Sequence, residues 1–371
     1  MKRTGALLTL LIALLCAAAC TSQSGSPATG AADTPTSAAP STAGPGAGTG
    51  SASSGTQSSG TQSAGTATSS TASELTDGIP DPHNRMLLGA YTDLSGKTTA
   101  AAVAAREKAM GRDYDLEVTY YDWTDSFPDA GEAAMAAQGV TPLMAWYPPD
   151  ANSGSTAALG QIASGADDKQ IRTTADAIKA YGHRVFLRLA PEMNGNWYKY
   201  SGDPQAYVAM WRHVHDVFAK AGVTNVTWVW CPNVNPANWD SYYPGSAYVD
   251  VIGVDGFSNT TYTWQTFQQL FGGFFAHFAT FAPGKPQLVA ETSTNSGAGV
   301  PAADVGSAAS FISGMESYLK NTAGPKYDVI GVCWFDTDTN NGINWRVDQT
   351  SAAWKAWLTL ASDPYFGGHG S

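Results

Sequence analysis

Eight short, largely apolar runs, each bounded by turn-forming residues, recur through the chain, with apolar side chains at successive positions rather than only at alternate ones. They cover 86–91, 116–121, 143–147, 185–190, 226–230, 249–254, 287–290 and 329–335. Continuous apolarity marks strands covered on both faces, as in a parallel sheet. Between the runs lie stretches with apolar residues three and four apart, at 98–110, 173–181, 204–220, 264–278, 303–320 and 352–360, which read as helices. Asp203-Pro204 suits an N-cap followed by proline in the first turn. Strand alternating with helix implies an α/β fold with a parallel sheet, and eight repeats imply a (β/α)8 TIM barrel. The link at 233–248 carries no helical pattern. A doubly wound open sheet is the competing arrangement, but no glycine-rich nucleotide turn follows the first run.

In a barrel of this kind, functional groups gather where strands end at their carboxyl side. Two glutamates stand at such points: Glu192 in Arg188-Leu189-Ala190-Pro191-Glu192-Met193-Asn194-Gly195, and Glu291 in Leu288-Val289-Ala290-Glu291-Thr292. A carboxylate is costly to hold at the end of a buried strand without a partner or a task, so two of them point to one shared site. Paired carboxyl groups are the machinery of glycoside hydrolysis: one protonates the leaving oxygen and the other attacks the anomeric carbon, at about 5 to 5.5 Å separation in retaining enzymes. Period-two alternation on the fourth run turns Arg188 and Ala190 inward beneath Glu192 and turns Leu187 and Leu189 toward the helices. An inward arginine needs carboxylate partners, so Arg188 either balances the charge of the site or braces the barrel.

Charge and composition limit the partners. The net charge of −11 comes without a basic cluster, which argues against nucleic acid and is compatible with a neutral polysaccharide. Twelve tryptophans and sixteen tyrosines serve core packing and also offer flat faces to sugar rings. No cofactor is implied. His213 and His215, two apart on a helix, face different ways and make no metal pair. Asp336, Asp338, Asn340 and Asn341 resemble a calcium loop but lack its spacing, and read instead as a polar rim for sugar hydroxyls.

The chain opens with Lys2 and Arg3 and an apolar stretch too short to span a bilayer, the pattern of an export signal over 1–20. Ala17-Ala18-Ala19-Cys20 resembles a bacterial lipobox, so Cys20 is expected to carry a lipid that tethers an extracellular domain to the cell membrane. Residues 21–78 are almost wholly Ser, Thr, Gly, Ala and Pro as far as Ser73, with Asp33 the one ionised side chain up to that point, and read as a solvated spacer. The catalytic domain, expected to be monomeric, is then 79–371. Its cysteines, Cys231 and Cys333, fall on the fifth and eighth runs, three strands apart in a closed barrel, which argues against a disulfide.

The segment Glu192-Met193-Asn194-Gly195-Asn196-Trp197 resembles the acid/base motif of glycoside hydrolase family 26, best known for β-mannanases. Tyr243-Pro244-Gly245 and the stretches 250–257, 285–291 and 334–348 continue in that family's order. The resemblance implies Glu192 as general acid/base and Glu291 as nucleophile. It also implies sugar contacts for Trp197, Trp334 and Asp255, with packing at the rim as the other reading for all three; Phe257, Asn194 and Arg188 stand beside them as candidate substrate-binding residues. Two positions depart from the pattern: Pro191 replaces the usual histidine before the acid/base, and Phe257 replaces a tyrosine that in the family donates to the nucleophile. Loss of a hydrogen bond to a charged group costs roughly 1.5 to 3 kcal/mol. Tyr262 is a nearby source of a replacement hydroxyl. A retaining endo-β-glycanase is therefore expected, with a glycan-binding protein on a spent scaffold as the alternative.

Overall fold

The computed structural model describes residues 81, 83–93, 96–149, 157–259, 264–295, 307–337 and 343–367. The stretch expected to be an export signal, Cys20 with its expected lipid, and the expected spacer lie outside the described residues, as do Tyr262, Asp338, Asn340 and Asn341.

Eight parallel strands close into a barrel in chain order: β1 (Leu87–Asp93), β2 (Leu116–Asp122), β3 (Thr141–Tyr147), β4 (Val185–Leu189), β5 (Val226–Trp230), β6 (Val251–Asn259), β7 (Gln287–Asn295) and β8 (Val329–Thr337), with β1 paired to β8. Helices α1 (Thr99–Met110), α2 (Ala130–Ala136), α3 (Ala157–Ala163), α4 (Asp168–Tyr181), α5 (Pro204–Ala221), α6 (Phe267–Phe281), α7 (Ala308–Tyr318), α8 (Gly324–Tyr327) and α9 (Ser351–Ser362) fill the connections. The expected cap on α5 is present: the Asp203 carboxylate accepts from the backbone N–H of Ala206 at 3.0 Å, ahead of Pro204. Between β5 and β6 there is only a 3-10 turn, Trp239–Tyr242, as the sequence implied.

Two apolar cores follow from the alternation of side chains. Inside the barrel, Leu87, Leu116, Val118, Leu143, Phe186, Val229, Cys231, Val251, Leu288 and Cys333 pack together. Glycine is required in that layer: a Cβ on Gly89 would stand 2.7 Å from the Cys333 sulfur and 2.6 Å from the Leu116 carbonyl oxygen. Between barrel and helices lies the second core, which holds Leu187, Leu189, Trp146, Trp211, Phe271 and Trp357 among others. Cys231 and Cys333 are buried, free thiols.

Three boundaries differ from the sequence reading. Ala190 falls outside β4 and packs with the helix-facing core, because its φ of 47° breaks the alternation that would have turned it inward. β6 and β7 run on to Asn259 and Asn295, through polar residues such as Ser258, Thr292, Ser293 and Thr294 that are buried although they are not apolar. Helices α2 and α3, seven residues each and rich in alanine, are too short to show a period; α2 is instead marked by an Asp129–Glu132 capping box.

Candidate active site

Where β4 stops, the chain makes a strained turn. Ala190 and Glu192 both have positive φ, 47° and 56°, a conformation that side chains other than glycine adopt at a cost of order 1 kcal/mol or more each. Neighbouring segments hold the turn. The N–H of Ala190 donates to Trp146 O on β3 at 2.9 Å, that of Glu192 to Cys231 O just past β5 at 2.8 Å, and the Tyr200 hydroxyl to Pro191 O. The consequence is a fixed carboxyl group: Asn233 Nδ2 donates to Glu192 Oε1 at 2.7 Å, and Trp197 Nε1 donates to Oε2 at 2.9 Å.

Asn233 is itself clamped. Its N–H donates to Asn194 Oδ1, while Asn194 Nδ2 donates to the carbonyls of Asn233 and Pro236, all at 2.8 Å. Val234 N–H donates to Asp255 O at 2.7 Å, and Asp255 N–H to Pro232 O at 3.0 Å, joining this loop to β6.

Glu291 reaches the same place through a register change. In β6, Val254 and Asp255 are consecutive, yet their partners on β7 are Val289 and Glu291; against β8, Val289 and Thr292 face Val332 and Trp334. Both neighbours therefore find one extra residue in β7. Such a bulge re-aims the residue beside it. Here Leu288 and Ala290 pack in the barrel interior, and Glu291 also turns inward, to Arg188. Arg188, buried on β4, donates through Nη1 to Glu291 Oε1 and through Nη2 to Asp255 Oδ2. The Asp255 Oδ1 atom accepts from the Cys231 thiol at 3.3 Å.

Two buried acids, Asp255 and Glu291, thus share one guanidinium, and Glu192 lies close enough to feel the charge of both Glu291 and Arg188. Burial, and next the negative charge of Glu291, push the Glu192 carboxyl up to about 7, against the opposing effect of its donors Asn233 and Trp197. Burial, with the charges of Glu291 and Glu192, also pushes Asp255 above the usual carboxylate range in spite of Arg188. Arg188 stays charged between its two carboxylates. Two carboxyl groups in one mouth, one inclined to hold a proton near neutrality and the other paired to a cation, are separated in role by their surroundings.

Aromatic rings line the mouth. Phe335 stacks on Tyr91 at 5.1 Å and meets Phe257 edge-on at 5.6 Å; Phe257 touches Trp345 at 5.5 Å. In the other direction Tyr91 meets Tyr120 at 4.9 Å, Tyr120 meets Tyr147 at 6.3 Å, and Tyr147 meets Tyr198 at 5.5 Å.

Of the residues singled out in the sequence, Glu192, Glu291, Asp255, Arg188 and Trp197 come together, and Phe257 joins the aromatic border. Trp334 does not. Its neighbour Phe335 faces the mouth, so Trp334 faces the helices, packed on Trp357 and Phe311, with its indole N–H donating to Trp345 O at 3.0 Å. Asn194 is 2 % exposed and its amide is committed to the Asn233 clamp, which makes it a support for the acid rather than a sugar contact. Asp336 lies buried against Arg106 and the Val347 N–H, not on a polar rim. His213 pairs with Asp168, while His215 packs against Trp228 and Tyr248. The sequence reading missed Asn233 and the tyrosines Tyr91, Tyr120 and Tyr147. A signal for the tyrosines existed, since each occupies a late inward position on β1, β2 or β3.

The family model for glycosyl hydrolase family 26 matches residues 152–293, a span that includes both glutamates. Over that span the chain is similar to glycosyl hydrolase family 26. It is 29 % identical over 290 residues to endoglucanase H of Acetivibrio thermocellus, covering 73 % of this chain and 30 % of that protein. It is 25 % identical over 124 residues to a mannan endo-1,4-β-mannosidase of Bacillus subtilis, covering 31 % of this chain and 32 % of the relative. The chain therefore spans about a third of the length of these curated relatives. Among solved structures, the catalytic domain of the family 26 endo-β-1,4-mannanase from Bacillus sp. JAMB-750 superposes with a TM-score of 0.58 at 16 % identity, covering 76 % of this chain and 86 % of that one. This likeness shows the fold.

Proposed function

We propose that the protein is a retaining endo-β-glycanase. One observation carries the reading: Glu192, pushed up to about 7, and Glu291, ion-paired to Arg188, belong to one connected group at the carboxyl ends of β4 and β7. Glu192 enters as general acid and gives its proton to the glycosidic oxygen. Glu291 attacks the anomeric carbon, the leaving sugar departs, and a glycosyl-enzyme ester remains. Glu192, now ionised, takes a proton from water, which attacks the same carbon and frees Glu291. Arg188 holds Glu291 through its ion pair with Oε1, and the aromatic border provides apolar faces for sugar rings.

The substrate is a neutral β-linked polysaccharide. β-Mannan is the first candidate because of the mannosidase relatives, and β-glucan stands beside it because likeness to the endoglucanase extends over more of the chain. The domain acts outside the cell, tethered to the membrane by a lipid on Cys20. Release of reducing ends from a panel of β-mannan, mixed-linkage β-glucan, cellulose and β-1,3-xylan tests the reading. Wild type should release them from at least one polymer and Glu291→Ala should fall to background. Binding with no release by either would make this a glycan-binding protein instead.

A further inference from the structure

Three tyrosines point inward from β1, β2 and β3, and two of their hydroxyl groups are engaged. Tyr91 is hydrogen-bonded to Asp93, and the Tyr147 oxygen accepts from the Tyr198 hydroxyl at 3.4 Å. The third is different: the Tyr120 oxygen is buried and has no hydrogen-bond partner among the described residues, although the residue as a whole is only half-buried. Tyrosine ordinarily does the reverse, burying its ring and leaving the oxygen to water. A buried hydroxyl without a partner costs about 1 to 3 kcal/mol, so its persistence calls for a use.

Its surroundings suggest one. Tyr120 pairs in register with Ala145, and Ala145 with Arg188, so the phenol and the guanidinium stand in one layer on either side of the smallest side chain on that face. Arg188 holds Oε1 of Glu291, and among the described residues no group donates to Oε2. Burial, and next the charge of Glu291, push the Tyr120 hydroxyl well above the tyrosine range, which keeps it a donor.

We propose that Tyr120 is a positioning residue for Glu291, its hydroxyl donating to the carboxylate that Arg188 grips from one side only, and aligning it for attack when a sugar fills the mouth. This rests on the glycosidase reading. The test compares wild type with Tyr120→Phe, which removes one oxygen and keeps the ring. On the polysaccharide that wild type cleaves, kcat should fall about ten- to hundredfold, the worth of a hydrogen bond to a charged group, with KM little changed. The matching 2-deoxy-2-fluoro-β-glycosyl fluoride reads the nucleophile alone: a Glu291 carboxylate oxygen bonds to the anomeric carbon as fluoride leaves, and labelling followed by mass spectrometry should slow by a similar factor. The melting temperature should hold or rise, which a merely structural role would not give alongside lost turnover. If the phenylalanine variant fails to fold, 3-fluorotyrosine at position 120 keeps the question open to measurement, because a stronger donor changes labelling only if the hydroxyl is engaged. Wild-type turnover and labelling in Tyr120→Phe would overturn this proposal alone. An inactive wild type would overturn the glycosidase reading and this one with it.

Discussion

At Glu192, function is set against stability. The ordinary value of 4.5 rises to about 7 in the folded state, so between these limits the native protein binds the proton more tightly than the unfolded chain. Stability contributed by the protonated group is present below pH 4.5 and lost as pH rises through 7, by roughly 3 kcal/mol in all. Glu192→Gln removes the titration. The stability of that variant relative to wild type should therefore rise by the order of 3 kcal/mol between pH 4 and pH 8, whatever its constant offset from mispairing with Asn233 or Trp197. Denaturant titrations at the two pH values measure this, and parallel curves would mean that Glu192 titrates normally. Both glutamates were legible in the sequence because each follows an apolar run. Asn233 was not, since an asparagine in a loop with several others carries no mark of the partner that folding supplies.

Among the elements, β4 and β7 do most to assemble the site, and their sequences revealed different amounts. Period two placed Arg188 inward on β4 correctly, yet the positive φ at Ala190 ended the alternation one residue early. On β7, an apolar run ending in Glu291 gave no sign of the bulge, because an extra residue shows only in the register of both neighbouring strands. Trp334 was misassigned for the same kind of reason: its direction follows from which face Phe335 takes, a property of the strand in the barrel. Arg188 is where this assembly is most vulnerable. Arg188→Met leaves Asp255 and Glu291 buried without their cation, and should cost about 3 to 5 kcal/mol in urea unfolding at pH 8. The loss should shrink at pH 5 as Asp255, held above the usual carboxylate range by burial, takes up a proton. A loss independent of pH would mean that Arg188 matters for packing rather than charge.

For the molecule as a whole, the barrel was the most legible feature, since eight largely apolar runs alternating with helices leave few other arrangements. On composition alone, the spacer expected over 21–78 would reach roughly 40 Å from a lipid on Cys20, which favours glycan at the cell surface over polymer at a distance. Cys20→Ser should move the protein from the membrane fraction to the medium and leave turnover unchanged; continued membrane association would remove the anchor from the account. The central claim concerns how one bond is broken. Proton NMR of the cleaved polysaccharide, read before mutarotation, records the configuration of the first product. Two carboxyl groups acting by double displacement should give the β-anomer first, whereas the α-anomer appearing first would contradict the roles assigned to Glu192 and Glu291.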